Sequence, residues 1–152
     1  MAYPENFYDI VYSRDTILHI QDKLQLFKLF EKTLKPGGKV VITDYTCGDG
    51  EHTQEFQKYV KQRGYYLLTV SEYGKTLENA GFGDVVAIDN SEYFKEILNK
   101  ELNGFKNIKD EVISECSIND YEDICNGWTD KIRRVGSGDQ VWGYFTARKM
   151  FE

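Results

Sequence analysis

Asp15 and His19 are the first residues along the chain whose types and spacing suit proton transfer. They follow Ser13 and Arg14 at the end of an apolar run over residues 7–12. If the segment coils, this spacing puts a carboxylate and an imidazole one helical turn apart on a common face. The imidazole is then a candidate general base, since an unperturbed pKa of about 6.5 suits proton removal near neutral pH. The plainer alternative is that Asp15 caps a helix start and His19 packs beside it. A second constellation runs Tyr59-Val60-Lys61-Gln62-Arg63-Gly64-Tyr65-Tyr66, with Tyr45 closing an earlier apolar run. Phenols converging with a guanidinium can hold a phosphate, the guanidinium through paired hydrogen bonds and the phenols as neutral donors. Tyrosines also line cores without any ligand, and spacing alone leaves both readings open.

The other chemically capable side chains add no site. His52 follows Glu51 in a polar loop and reads as a solvated helix-start residue. Cys47, Cys116 and Cys125 are odd in number and form no C-x-x-C pair, which predicts reduced, partly buried thiols and no metal site. A formal charge of -6 and a pI near 5.0 offer no clustered positive face for nucleic acid or an anionic membrane, so small-molecule chemistry is favoured.

Positioning these residues requires a folded core, and 152 residues with 41% apolar and 14% aromatic content suffice for one domain. Residues 7–12 predict a buried strand. Leu24, Phe27, Leu29, Phe30 and Leu34 recur at helical spacing over residues 22–34, and Lys35-Pro36-Gly37-Gly38 stops that helix. Residues 39–45 form a second strand, nearly continuous in apolar residues as in a parallel sheet flanked by helices. Helices over about 53–62 and 70–80, a strand over 84–89, two or three helices within 91–126, and a last strand over 140–147 complete one continuous α/β unit. No apolar run approaches the roughly 20 residues of a membrane-spanning helix, and the start Met1-Ala2-Tyr3-Pro4-Glu5 lacks a signal-peptide pattern. A cytoplasmic protein is expected.

In such α/β units ligands bind outside the C-terminal ends of the strands, beside a glycine-rich turn that follows the first strand. No such turn follows residues 7–12, and Pro36-Gly37-Gly38 lies at the opposite edge of the sheet. The pattern is that of the second half of a larger domain.

Four segments, Tyr-Ser-Arg-Asp-Thr-Ile-Leu-His-Ile (12–20), Leu-Lys-Pro-Gly-Gly-Lys-Val-Val-Ile-Thr-Asp-Tyr (34–45), Tyr-Val-Lys-Gln-Arg-Gly-Tyr (59–65) and Gly-Trp-Thr-Asp-Lys (127–131), closely resemble phosphoethanolamine N-methyltransferases, the plant-type second domain most of all. The resemblance implies strands four to seven of a Rossmann-like class I methyltransferase sheet of order 3-2-1-4-5-7-6. It makes residues 1–152 the C-terminal portion of one methyltransferase domain, with a helical substrate-binding insertion at about 91–132. It also implies S-adenosylmethionine as cofactor and a phosphobase as substrate.

Residue by residue, His19 resembles the family's catalytic histidine and Asp15 the carboxylate that orients the amine. Tyr45, Tyr59, Arg63, Tyr65 and Lys131 resemble the residues around the substrate phosphate, and Ser13 and Arg14 stand where the fourth strand meets the cofactor. The glycine-rich cofactor turn is absent from the sequence, so weak or no activity and poor cofactor binding are expected of this polypeptide alone. An unpaired edge on the strand at 7–12 is further expected to drive self-association. Two other readings remain open: a methyltransferase for another small amine or carboxylate, and a non-catalytic phosphobase-binding or interaction module.

Overall fold

Four strands, β1 (Tyr8–Arg14), β2 (Leu34–Cys47), β3 (Phe82–Asp89) and β4 (Gln140–Lys149), form one sheet in the order β1-β2-β4-β3 in the computed structural model, which describes residues 3–151. β1 and β2 are parallel, whereas β4 is antiparallel to both β2 and β3. Three strands therefore point one way, and their C-terminal tips share a rim. This is the order and orientation expected of strands four to seven.

A short 3-10 turn (Ile17–His19) and α1 (Lys23–Thr33) connect β1 to β2. The Asp22 carboxylate accepts from the Gln25 N–H and starts α1 by satisfying a donor that the helix itself cannot. α1 ends at Thr33, just before Lys35-Pro36-Gly37-Gly38, as expected of a helix stop, and that stretch continues as the start of β2. There the register jumps from Tyr8 opposite Leu34 to Ile10 opposite Lys39. Gly37 adopts φ +78°, and a Cβ at Gly38 would stand 3.1 Å from the Asp9 carbonyl oxygen, so β1 approaches this irregular stretch only where a side chain is missing.

β2 alternates with the pleat and so carries a different function on each face. Val40 and Ile42 join Phe27, Leu34, Leu77 and Phe145 in the main core under α1 and α3 (Val70–Asn79), where Tyr73 stacks on Phe145 with ring centroids 4.0 Å apart. Tyr45 faces the other way, against a smaller cluster of Phe94, Leu98, Val135 and Trp142. That cluster seats α4 (Ser91–Asn107) and α6 (Ile118–Gly136) on β4. With α5 (Lys109–Glu115) between them, these are the three helices that separate β3 from β4. α2 (Gln54–Arg63) completes the helices.

Several expectations are corrected. The first strand forms but is not buried: Ile10 and Tyr12 are 61% and 65% exposed, because among the described residues no strand lies beyond β1. Cys116 is exposed, unlike the half-buried Cys47 and Cys125. His52 is partly buried beside Asp139, with Nδ1 3.5 Å from Oδ1, where the same carboxylate accepts from the Thr53 N–H and hydroxyl. Among the described residues no helix is long and apolar enough to cross a membrane.

Candidate active site and anion cleft

The rim formed by the tips of β1 and β2 carries the first group of site residues. Ser13 and Arg14 end β1, with the Ser13 hydroxyl 2.9 Å from that of Thr16 and the Arg14 side chain largely exposed. Asp15 follows in the left-handed region at φ +50°, a conformation that a short polar side chain tolerates better than most. Its N–H donates to the Thr43 carbonyl, and its Oδ1 accepts from Trp142 Nε1 at 2.8 Å. Asp15 therefore caps no helix: the turn holding His19 starts at Thr16 without a side-chain cap. Asp15 and His19 share no hydrogen bond. The carboxylate leans over the sheet toward β4, whereas the imidazole packs edge-on against Tyr65 with centroids 5.2 Å apart.

Tyr65 reaches His19 because α2 stops abruptly. Gly64 takes a left-handed C-terminal conformation, and the Tyr65 N–H closes back on the Val60 carbonyl. The loop is then fastened to the 3-10 turn. The Tyr66 N–H donates to the Leu18 carbonyl, and the Lys23 ammonium donates to the carbonyls of Ile17, Ile20 and Tyr66 at 3.1, 2.7 and 2.6 Å. Burial lowers the pKa of Lys23 from its ordinary value, with the Asp44 charge working against that. Asp44 is fully buried on β2, accepting from the Leu18 N–H and the Tyr73 hydroxyl, both at 3.1 Å. Burial pushes its carboxyl up to about 7, while these hydrogen bonds and Lys23 pull the other way. Lys23 and Asp44 thus hold the segment that presents His19.

Behind Tyr65 opens a cleft of about 390 Å³ lined by Tyr45, Tyr59, Arg63 and Tyr65, and by Lys131 and Arg134 of α6. All five residues that the family resemblance grouped around a phosphate therefore line one hollow. His19 does not line it and borders it through the Tyr65 ring, which also meets Tyr45 and Tyr59 at 6.5 and 5.8 Å. Lys131 Nζ donates to the Tyr45 hydroxyl oxygen at 3.1 Å, leaving the phenolic hydrogen to be given elsewhere. Burial raises the Tyr45 pKa, helped by the charge of Asp15, and burial with Tyr59 alongside pushes Tyr65 up to about 12. Tyr45 and Tyr65 therefore stay protonated near neutral pH, as donors.

Arg134, Gln62 and Trp142 were missed from sequence. Arg134 had one available signal: it follows Lys131 by one helical turn and so shares its face. Trp142 had another, since a buried indole N–H needs an acceptor, which Asp15 supplies. Among the described residues no cluster of three potential metal ligands occurs.

A family model described as a methyltransferase domain matches residues 1–87, more than half of the chain. The chain belongs to the methyltransferase domain family. Within that family it is 52% identical over 148 residues to phosphoethanolamine N-methyltransferase 1 of Zea mays, covering 97% of this chain and 30% of the relative. It is 40% identical over 150 residues to the phosphoethanolamine N-methyltransferase of Plasmodium falciparum, covering 56% of that relative. The chain thus spans about a third to a half of the length of these curated relatives. Among solved structures, Haemonchus contortus phosphoethanolamine N-methyltransferase 2 in complex with phosphomonomethylethanolamine and S-adenosylhomocysteine superposes with a TM-score of 0.94 at 35% identity, covering 98% of this methyltransferase chain and 35% of that one. A cyclopropane synthase of Mycobacterium tuberculosis, at 17% identity and a TM-score of 0.81, shares the fold.

Proposed function

We propose that this chain is the C-terminal, substrate-holding portion of an S-adenosylmethionine-dependent N-methyltransferase domain, with its helical substrate-binding part at about 91–132. The complete domain acts on phosphoethanolamine or its mono- and dimethyl derivatives on the way to phosphocholine, in the cytoplasm, and this chain alone has weak or no activity. One observation carries the reading: Arg63, Lys131 and Arg134 line a single cleft with three phenols, and among the described residues none of the three cations has a carboxylate ion-pair partner. Cations grouped without counter-ions repel one another, and an anionic ligand relieves that cost. The solved relative that holds phosphomonomethylethanolamine supports the choice of anion.

In this reading Arg63, Lys131, Tyr45, Tyr59 and Tyr65 hold the phosphate at one end of the substrate, and the amine extends toward the β1 rim. Asp15 attracts the cationic ammonium and orients it. His19 accepts its proton, because only the neutral amine has a lone pair for methyl transfer. S-adenosylmethionine supplies, when bound, an electrophilic methyl group on a sulfonium. Ser13 and Arg14 offer a hydroxyl and an exposed guanidinium at the open tip of β1, which suits one wall of a cofactor site. Holding the phosphate fixes the position of the amine, so the clamp contributes to register and alignment without touching the reacting atoms.

Titration calorimetry of the chain with phosphocholine and with choline tests the reading. Phosphocholine is expected to bind and choline to bind far more weakly, with Lys131→Ala weakening phosphocholine about tenfold or more through the loss of one charge-assisted contact. Equal affinity for the two ligands would overturn it.

The free edge of β1 belongs to the same reading. It exposes Tyr8, Ile10 and Tyr12 beside a hollow of about 300 Å³ lined by Val11, Leu26 and Phe30 among others, and an unpaired apolar edge recruits a further strand. Self-association through this edge is expected, and a monodisperse monomer by light scattering at micromolar concentration would refute it.

A further inference from the structure

Two adjacent arginines on α6 have opposite surroundings. Arg133 faces outward and takes the neighbouring carboxylates, pairing with Glu55 and with Asp130 at 3.3 Å. Arg134, one residue on, is 8% exposed and has no ion pair among the described residues. Its guanidinium carbon lies 3.8 Å from the centroid of the Tyr59 ring, and its Nε donates to Gln140 Oε1 at 3.2 Å. Gln140 is itself 1% exposed at the start of β4, and Arg134 Nε fixes which way its amide faces, because the flipped amide would oppose two donors. The guanidinium is thus held from behind and below, while among the described residues its two terminal nitrogens have no acceptor.

A desolvated guanidinium in a fixed plane, with two parallel N–H groups left to give, matches the oxygen pair of a phosphate. The charge of the cleft points the same way. Its lining includes three cations, Arg63, Lys131 and Arg134, and the single carboxylate of Asp130, and the adjoining Arg133 and Glu55, one charge of each sign, leave the difference unchanged. The difference of two positive charges balances a phosphate monoester dianion and exceeds the single charge of a diester.

Building on the phosphobase reading, we infer that Arg134, stacked on Tyr59 and braced by Gln140, is the buried phosphate-binding residue that makes the cleft select monoester dianions over singly charged diesters. Arg63 and Lys131 attract and enclose the anion from more open positions. Arg134 sets its orientation through two hydrogen bonds in one plane.

The test titrates the 152-residue chain with phosphocholine, glycerophosphocholine and choline, in the parent, Arg134→Gln, Arg134→Lys and Arg63→Gln forms, with thermal unfolding as a check that each variant is folded. The parent is expected to prefer phosphocholine over glycerophosphocholine. Arg134→Gln is expected to weaken phosphocholine about ten- to a hundredfold and glycerophosphocholine much less, so that the preference collapses. Arg134→Lys keeps the charge but not the planar fork, and an intermediate loss is expected; this variant carries the test if Arg134→Gln does not fold. If the Arg134 variants bind phosphocholine as the parent does while Arg63→Gln loses affinity, the role of Arg134 is refuted and the phosphobase site stands. If the parent itself does not distinguish phosphocholine from choline, the phosphobase reading and this inference fall together.

Discussion

Lys23→Met is expected to lower stability by about 3–5 kcal/mol, because three carbonyls lose their donor at about 1–3 kcal/mol for each buried group left unsatisfied. Lys23 is 3% exposed, and its ammonium satisfies carbonyls of Ile17, Ile20 and Tyr66, two of which belong to the segment around His19 and one to the loop after Tyr65. Methionine fills the same space but gives those carbonyls no donor, and it removes the cation that offsets the charge of Asp44. Denaturant unfolding should show a lower midpoint with an unchanged slope, since the surface exposed on unfolding is the same. The companion variant Lys23→Met/Asp44→Asn should recover part of the loss, because no unpaired charge remains. Additive losses in the double variant, or a single variant as stable as the parent, would contradict this account. Phosphocholine affinity should fall as well, since the clamp holds Tyr65 in place.

Stability should also decline as pH rises from about 4 to about 7, and Asp44 is the cause. Burial raises its carboxyl from 3.8 to about 7 in the folded chain. Between these values the folded protein keeps a proton that the unfolded chain has released, so each step up in pH favours unfolding. The full difference is on the order of 4 kcal/mol, complete above the folded value and absent below the unfolded one. Asp44→Asn preserves shape and can still hydrogen bond to Leu18 and Tyr73, but it carries no titratable proton. Its unfolding free energy, measured across this range against the parent, should lack that decline. An identical slope in both proteins would show that other groups carry it.

Periodicity in the sequence was enough to read the β-α-β order, because Val40 and Ile42 on the strand and Leu24 and Phe27 on the helix mark elements whose burial depends on local pattern. The helices between β3 and β4 were legible for the same reason, through Phe94, Leu98 and Leu102 on one face. Burial of β1 was not, because an apolar strand looks the same in sequence whether or not a neighbour covers its outer edge. Motif resemblance picked out Tyr45, Tyr59, Arg63, Tyr65 and Lys131, which the fold brings to one cleft. The supporting residues escaped notice. Asp44 sits inside an apolar run, Lys23 looks like an ordinary polar residue on an amphipathic helix, and Arg134 resembles any basic residue in the last turn of a helix, where the helix dipole alone justifies one. Asp44 depends on Leu18 and Tyr73, 26 and 29 residues away, and Lys23 on Tyr66, 43 residues away, besides its near neighbours Ile17 and Ile20, so no local window contains the whole arrangement.

β4, the last strand made, lies between β2 and β3 and gives β3 its only strand partner among the described residues. During synthesis β3 must wait, unpaired, for nearly sixty further residues, from Asp89 to Lys149, to leave the ribosome. The cleft waits with it, because Gln140 and Trp142 arrive on that strand. Closure of the sheet therefore waits for β4, and a nascent polypeptide stalled before residue 140 would leave the backbone edge of β3 unpaired and open to chaperones or to aggregation.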